Sequence, residues 1–138
     1  MRRLLLVLSV LTGCNYYLRP NELAPVVSQV EPEQRLATWN RAVVVLLDEG
    51  YVPDSLDANA CFISARMRDD VQVGKLQGTL AMVVVAPDGR LRVAVSGHGE
   101  YTSSSGLLRD LTAEQERITK EILAPAPMAA PVATPPSS

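Results

Sequence analysis

The sequence predicts a small α+β domain: an antiparallel sheet of three strands, four if one more joins at an edge, covered on one face by two helices. Three observations predict it. Apolar residues recur at helical spacing from Leu36 to Leu47, a hairpin signal surrounds "APDGRL", and an amphipathic segment with a capping box closes the domain. The 138 residues, 47% hydrophobic and 20% charged, suit a single core. With 13 basic against 15 acidic residues the net charge is −2, which excludes the positive field that phosphate neutralisation requires, so no nucleic acid partner is expected.

The first helix is read from Leu36, Trp39, Val43, Leu46 and Leu47, with Arg35, Asn40, Arg41, Asp48 and Glu49 off that stripe. Pro32 suits its start and Gly50 its stop. Val43, Val44 and Val45 are poor helix formers, so packing has to hold this segment. "PDSLDANA" then reads as a turn. In "CFISARMRDD", Cys61, Ile63, Ala65 and Met67 alternate with Phe62, Ser64, Arg66 and Arg68, as a strand with one covered face requires.

Residues 79–86 and 91–102 form the hairpin, with Pro87-Asp88-Gly89 as a type I turn and glycine in the left-handed position. That turn sets the register. Val85 should face Leu91, Val83 should face Val93 and Ala81 should face Val95, which makes one face wholly apolar. The opposite face carries Leu80, Met82 and Val84 beside Arg92, Ala94, Ser96, His98 and Glu100. The closing helix is expected to begin at Thr112 as N-cap, with Gln115 completing the box, Ile118 and Ile122 facing the core, and pairs Glu116–Lys120 and Arg117–Glu121 outside. There is no internal repeat.

At the N-terminus Arg2 and Arg3 precede an apolar run over residues 4–11, the pattern of a secretory signal. As a helix that run covers about 12 Å, too little to cross roughly 30 Å of hydrocarbon. Leu11-Thr12-Gly13-Cys14 follows and resembles the lipobox of bacterial lipoproteins. The resemblance covers residues 1–14 and implies diacylglycerol transfer to the Cys14 thiol, cleavage before Cys14 and acylation of the new amino group. Acyl chains contribute about 0.8 kcal/mol per buried methylene, and more than one chain makes the attachment stable. The expected location is the periplasmic side of an outer membrane, since Asn15 is not the aspartate linked with inner-membrane retention. In a monoderm cell it would be the extracellular face of the plasma membrane. A blocked Cys14 cannot form a disulfide, so Cys61 should be buried.

These readings divide the chain into a signal peptide over 1–13, a lipidated Cys14 with an extended tether over 14–32, the domain over 33–123 and an Ala/Pro-rich tail over 124–138. Val26 to Val30 is the stretch able to add an edge strand. The tail holds five prolines and no charge, and reads as disordered and polyproline-leaning, with a spacer or ligand for another envelope component as the alternative.

Candidate chemistry is sparse. His98 in "GHGE" lies near Glu100, too few ligands for a tight metal site. Cys61 and His98 would make a thiol and base, but the alternation puts them on opposite faces of the sheet. Asp54, Asp57, Asp69 and Asp70 read as solvated loop acids, and no phosphate loop, nucleophile elbow or paired-Cys motif is present. No cofactor, metal or catalytic residue is expected. The candidate partner-binding set is Phe62, Arg66, Arg68, Leu80, Met82, Val84 and Arg92, an apolar face interleaved with arginines. The competing reading is that residues 71–78 or the N-terminal segment fold over it.

The expected function is that of a non-catalytic adaptor of the cell envelope, held to membrane lipid through acylated Cys14 and binding another envelope protein. A small-ligand-binding accessory and an enzyme using His98 are the alternatives. By element order alone the domain is similar to small helix-over-sheet domains of envelope-assembly lipoproteins, an analogy that fixes no residue and no partner.

Overall fold

The computed structural model describes residues 15–18 and 22–124; the signal segment, Cys14 and the tail beyond Ala124 lie outside the described residues. Strands β1 (Asn15–Leu18) and β2 (Val26–Gln29) lead through a 3₁₀ turn, Pro32–Gln34, into helix α1 (Arg35–Asp48). Four strands follow in succession, β3 (Tyr51–Asp57), β4 (Phe62–Met67), β5 (Gln77–Val85) and β6 (Arg90–Glu100), and helix α2 (Ser104–Leu123) closes the domain.

The expectation of three or four strands is corrected: the sheet has six, in the order β1-β6-β5-β4-β3, with β2 also on β6. Every pairing is antiparallel. β1 and β2 share one edge, pairing with the two ends of the 11-residue β6. The strands beyond the predicted three are all edge strands, β2 lying in the stretch expected to be able to add one; edges take short, polar and proline-bearing sequences because only one side is paired. Pro53, Asp54, Ser55 and Asp57 signal a turn, yet they lie in β3. It tolerates them with a register shift between Pro53 and Ser55. The segment 14–32, expected as an extended tether, contributes β1 and β2 to the sheet.

The hairpin has the register its turn predicts, with Val85 opposite Leu91, Val83 opposite Val93 and Ala81 opposite Val95. Gly89 takes φ +88°, and a Cβ there would lie 2.1 Å from the Val30 carbonyl oxygen. That proximity is used. Val30 N–H donates to the Gly89 carbonyl and the Gln29 amide to the Asp88 carbonyl, at 2.9 and 2.7 Å, so the chain leaving β2 clasps the turn.

The apolar face is covered by α1 over β3, β4 and β5 and by α2 over β6 and β2. Ile63, Ala65, Ala81, Val83, Val85, Leu91 and Val93 are fully buried there. The buried stripe of α1 is Trp39, Ala42, Val45 and Leu46; Leu36 and Leu47, read as core, are 54% and 51% exposed. The helix is rotated so that Ala42, too small to register as a hydrophobic anchor, is fully buried. α2 begins eight positions before Thr112, corrected to Ser103 as N-cap, whose hydroxyl accepts from Gly106 N–H at 3.2 Å. The additional turns bring Leu107 and Leu111 into the core beside Ile118 and Ile122.

The residue read as half of a capping box has another task. β2 pairs with residues 90–93 of β6 and β1 with residues 97–100, which leaves the edge unpaired between them. Gln115, 1% exposed, fills that gap: its Oε1 accepts from Val95 N–H at 2.8 Å and its Nε2 donates to the Ala24 carbonyl at 3.1 Å. One side chain thus replaces a missing strand pair and ties α2, β6 and the N-terminal segment together. Gln115→Leu keeps the bulk but strands a buried N–H and a carbonyl, and should lower stability by about 1–3 kcal/mol. Chemical denaturation of the lipid-free chain beginning at Asn15 measures it.

Candidate binding face

The sheet surface opposite the helices is organised in rows across the strands. Val84 lies between Phe62 and Arg92, Met82 between Ser64 and Ala94, and Leu80 between Arg66 and Ser96. Phe62, Leu80, Met82, Val84 and Ala94 are half-buried and Arg66 and Arg92 exposed. From Leu80 to Val84 the apolar strip runs about 13 Å along the strand, at roughly 3.4 Å per residue. It is closed by an arginine on each side, Arg66 from β4 at one end and Arg92 from β6 at the other. Val52 and Val27, 49% and 51% exposed, extend it across the edge strands.

Six of the seven sequence-derived residues therefore share one surface: Phe62, Arg66, Leu80, Met82, Val84 and Arg92. Arg68 does not. β4 ends at Met67, and the Arg68 guanidinium turns back onto both oxygens of Asp70. Val27 lies in the stretch expected to be able to add an edge strand but is not among the predicted face residues, and Val52 precedes a segment whose composition signals a turn.

Among the described residues neither expected cover lies over this strip. Residues 71–76 turn toward the helix layer, where Leu76 is 3% exposed and Val71 and Val73 pack against the core. Val71 also fills the space beside Gly50, where a Cβ would come within 3.1 Å of its side chain. The described part of the N-terminal segment pairs at the β6 edge.

At the β1 end the strip opens into a cleft of about 400 Å³ whose polar lining includes Arg66, Arg68, Asp69, Gln77 and His98. The cleft follows from a register shift in β5 between Gln77 and Leu80. Gly78 has φ +57°, and a Cβ there would meet the His98 ring at 2.7 Å, so only glycine admits the imidazole this close. The other side of the ring faces Tyr17, with centroids 6.3 Å apart. Arg66 is held only by a 3.5 Å contact to Asp54 between exposed groups, an arrangement of little energetic weight that leaves its guanidinium available. Cys61 lies at the far end of the sheet, 2% exposed in the helix layer, its thiol donating to the Ala58 carbonyl at 3.5 Å. The sheet separates it from His98. Among the described residues no three His, Cys, Asp or Glu side chains converge as a metal would need.

A second polar cluster joins α1, β3 and α2 on the helix side. Arg117 contacts Glu114, Glu49 and Glu121, and the buried Tyr51 hydroxyl donates to Glu114 at 3.2 Å. Burial, reinforced by the Glu114 charge, pushes the Tyr51 phenol up. Burial works against charge at Glu49, but hydrogen bonds with Glu121 and Arg117 outweigh it and hold that carboxyl below its usual range. Glu121 is shifted upward, first by its hydrogen bond with Glu49 and then by burial. The Glu49 carboxylate thus favours the protonated form of its neighbour Glu121. A raised folded-state pKa contributes stability that is present below the unfolded value and lost as pH rises through the folded value. Glu121→Gln, which removes the repelling charge, should therefore match the native chain in acid and be the more stable of the two at neutral pH. Thermal melting of both proteins across that range tests it; a constant difference at all pH values would contradict it.

No protein-family model matches this chain, and no curated protein matches it either.

Proposed function

We propose that this chain is a lipid-anchored component of a bacterial envelope that binds another envelope protein through the open face of its sheet, without catalysis of its own. The single observation that carries the reading is the strip Leu80, Met82, Val84 and Phe62, left half-buried between Arg66 and Arg92 while both helices pack on the opposite side. Sheets that leave one face to water normally alternate to polar side chains there. A surface with an apolar centre and a charged rim is the composition of a protein interface. Its chemistry specifies the partner segment: apolar side chains over about 13 Å, with carboxylates at both ends to meet the two guanidinium groups.

Membrane attachment rests on the lipobox, not on a spanning segment; no described helix is long and apolar enough to cross a bilayer. The accessory reading, a small ligand, has the cleft beside His98 in its favour, with Arg66 shared between strip and cleft.

A photo-crosslinking side chain in place of Met82, in the native cell, tests the adaptor. It should give a discrete heavier band that the same probe at Glu116, exposed on α2, does not give. Arg66→Glu with Arg92→Glu should abolish that band while leaving the melting temperature within a few degrees, since exposed substitutions usually cost under about 0.5 kcal/mol. An unchanged band in the doubly reversed protein would contradict the role of the arginines, and no band at Met82 would contradict the adaptor.

A further inference from the structure

The sheet reaches the proposed lipid attachment point without a spacer. β1 begins at Asn15, paired with Glu100 at the end of β6, and Cys14 is one peptide bond away. Consecutive Cα atoms stand about 3.8 Å apart, so an acyl group on Cys14 is within a few ångströms of the sheet. From there β1 runs away from the anchor, Leu18 pairing with Gly97. The same pole holds the turn into α2, residues 101–103, and the loop to Lys75, whose carbonyl oxygen would lie 2.5 Å from a Cβ on Gly99.

The other end of the chain leaves from the opposite pole. α2 starts beside Glu100, and its 20 residues rise about 1.5 Å each, which carries its C-terminus roughly 30 Å away. There Ala124 lines a groove with Gln34 and Ala37, at the start of α1. The turn between β3 and β4 and the Pro87-Asp88-Gly89 turn share that far pole.

We propose that the β1 pole of the domain rests at the headgroup layer of the membrane, so that the folded domain is itself the spacer that holds Ala124 about 30 Å from the bilayer. The inference rests on acylation of Cys14. It requires no electrostatic attraction, and the pole is suited to none: Arg68 pairs with Asp70 and Arg109 with Asp110, and Lys75 is outnumbered by Asp69 and Glu100 nearby. Covalent attachment with no slack sets the orientation. Tyr17, 60% exposed with its ring against His98, places an aromatic residue at the level where tyrosine is favoured in membranes. The open face then stands upright from the bilayer and is reached from the side.

The test uses the acylated full chain, its mass verified, in phosphatidylethanolamine and phosphatidylglycerol vesicles with bromine on the upper acyl positions. Trp39 is the one tryptophan. In a Trp39→Phe background, Tyr17→Trp fluorescence should fall about twofold or more on binding, while Asn59→Trp, at the far pole, should stay unchanged. Inserting about twelve Gly and Ser residues after Cys14 adds a coil of roughly 20 Å and should remove the quenching. Amide exchange of the unsubstituted chain reads the same geometry if Trp39→Phe unfolds it: vesicles should slow exchange at residues 72–75 and 101–103 and leave residues 87–90 unaffected. An acylated chain quenched at neither position, or at Asn59, overturns the inference and leaves the anchor standing. A chain without acyl groups overturns both.

Discussion

Everything in this domain depends on the outer edge of β6. Its inner edge is satisfied by β5 through a hairpin that folds locally. Its outer edge has to be completed by chain some seventy residues earlier in sequence, and the completion is divided: β2 pairs with residues 90–93, β1 with residues 97–100, and Gln115 hydrogen-bonds Val95 in between. A buried backbone N–H without a partner costs about 1–3 kcal/mol, so the break between two four-residue strands is tolerable only because a side chain covers it. The same amide holds the Ala24 carbonyl, which fixes the path of the connection into β2. From β2 the chain clasps the hairpin turn at Gly89 and then crosses the whole sheet as α1 to begin β3 on the opposite edge.

That arrangement separates the two faces of the sheet by task. The helix face takes the buried alternate residues of β4, β5 and β6, the loop residue Leu76 and both helices, and it is pinned by the Arg117 cluster where α1, β3 and α2 meet. Nothing of comparable size is used on the other face. The arginines that flank it are there as exposed groups, Arg66 on a weak contact to Asp54, and the apolar residues between them stay half-buried. The β1 pole, where the cleft at His98 opens, also carries the start of β1 at Asn15, so the apolar strip, the cleft and the first residue of β1 are arranged along one axis.

The legible parts of the fold were those specified by neighbours in sequence. Pro87-Asp88-Gly89 between two alternating runs determined the hairpin, its register and therefore Leu80, Met82, Val84 and Arg92 on a common face. Alternation alone placed Phe62 and Arg66 with them. Arg68 falls just past the end of β4, a point alternation does not mark, and pairs with Asp70 two residues on while lining the cleft with Arg66. The edge strands were illegible for a different reason. Asn15–Leu18 is too short to declare itself, Val26–Gln29 shows only as a stretch able to add an edge strand, and the proline and acids of Tyr51–Asp57 argue for a turn; β1 and β2 are strands because distant β6 supplies their hydrogen bonds, and β3 because neighbouring β4 does. Gln115 was misread from the same limitation: Thr112 and Gln115 have the spacing of a capping box, while the helix starts at Ser104 and the amide serves β6.

The central claim is that residues 15–18 are part of the sheet. Residue-resolved amide exchange on the full chain tests it most directly, because ladder amides open only with the structure that holds them. Slow exchange within residues 16–18 and 97–100, with the protection at 97–100 lost in a chain that begins at Val26, is the predicted result. Exchange within residues 16–18 at the rate of an unstructured peptide would contradict the account and leave the domain on a free tether.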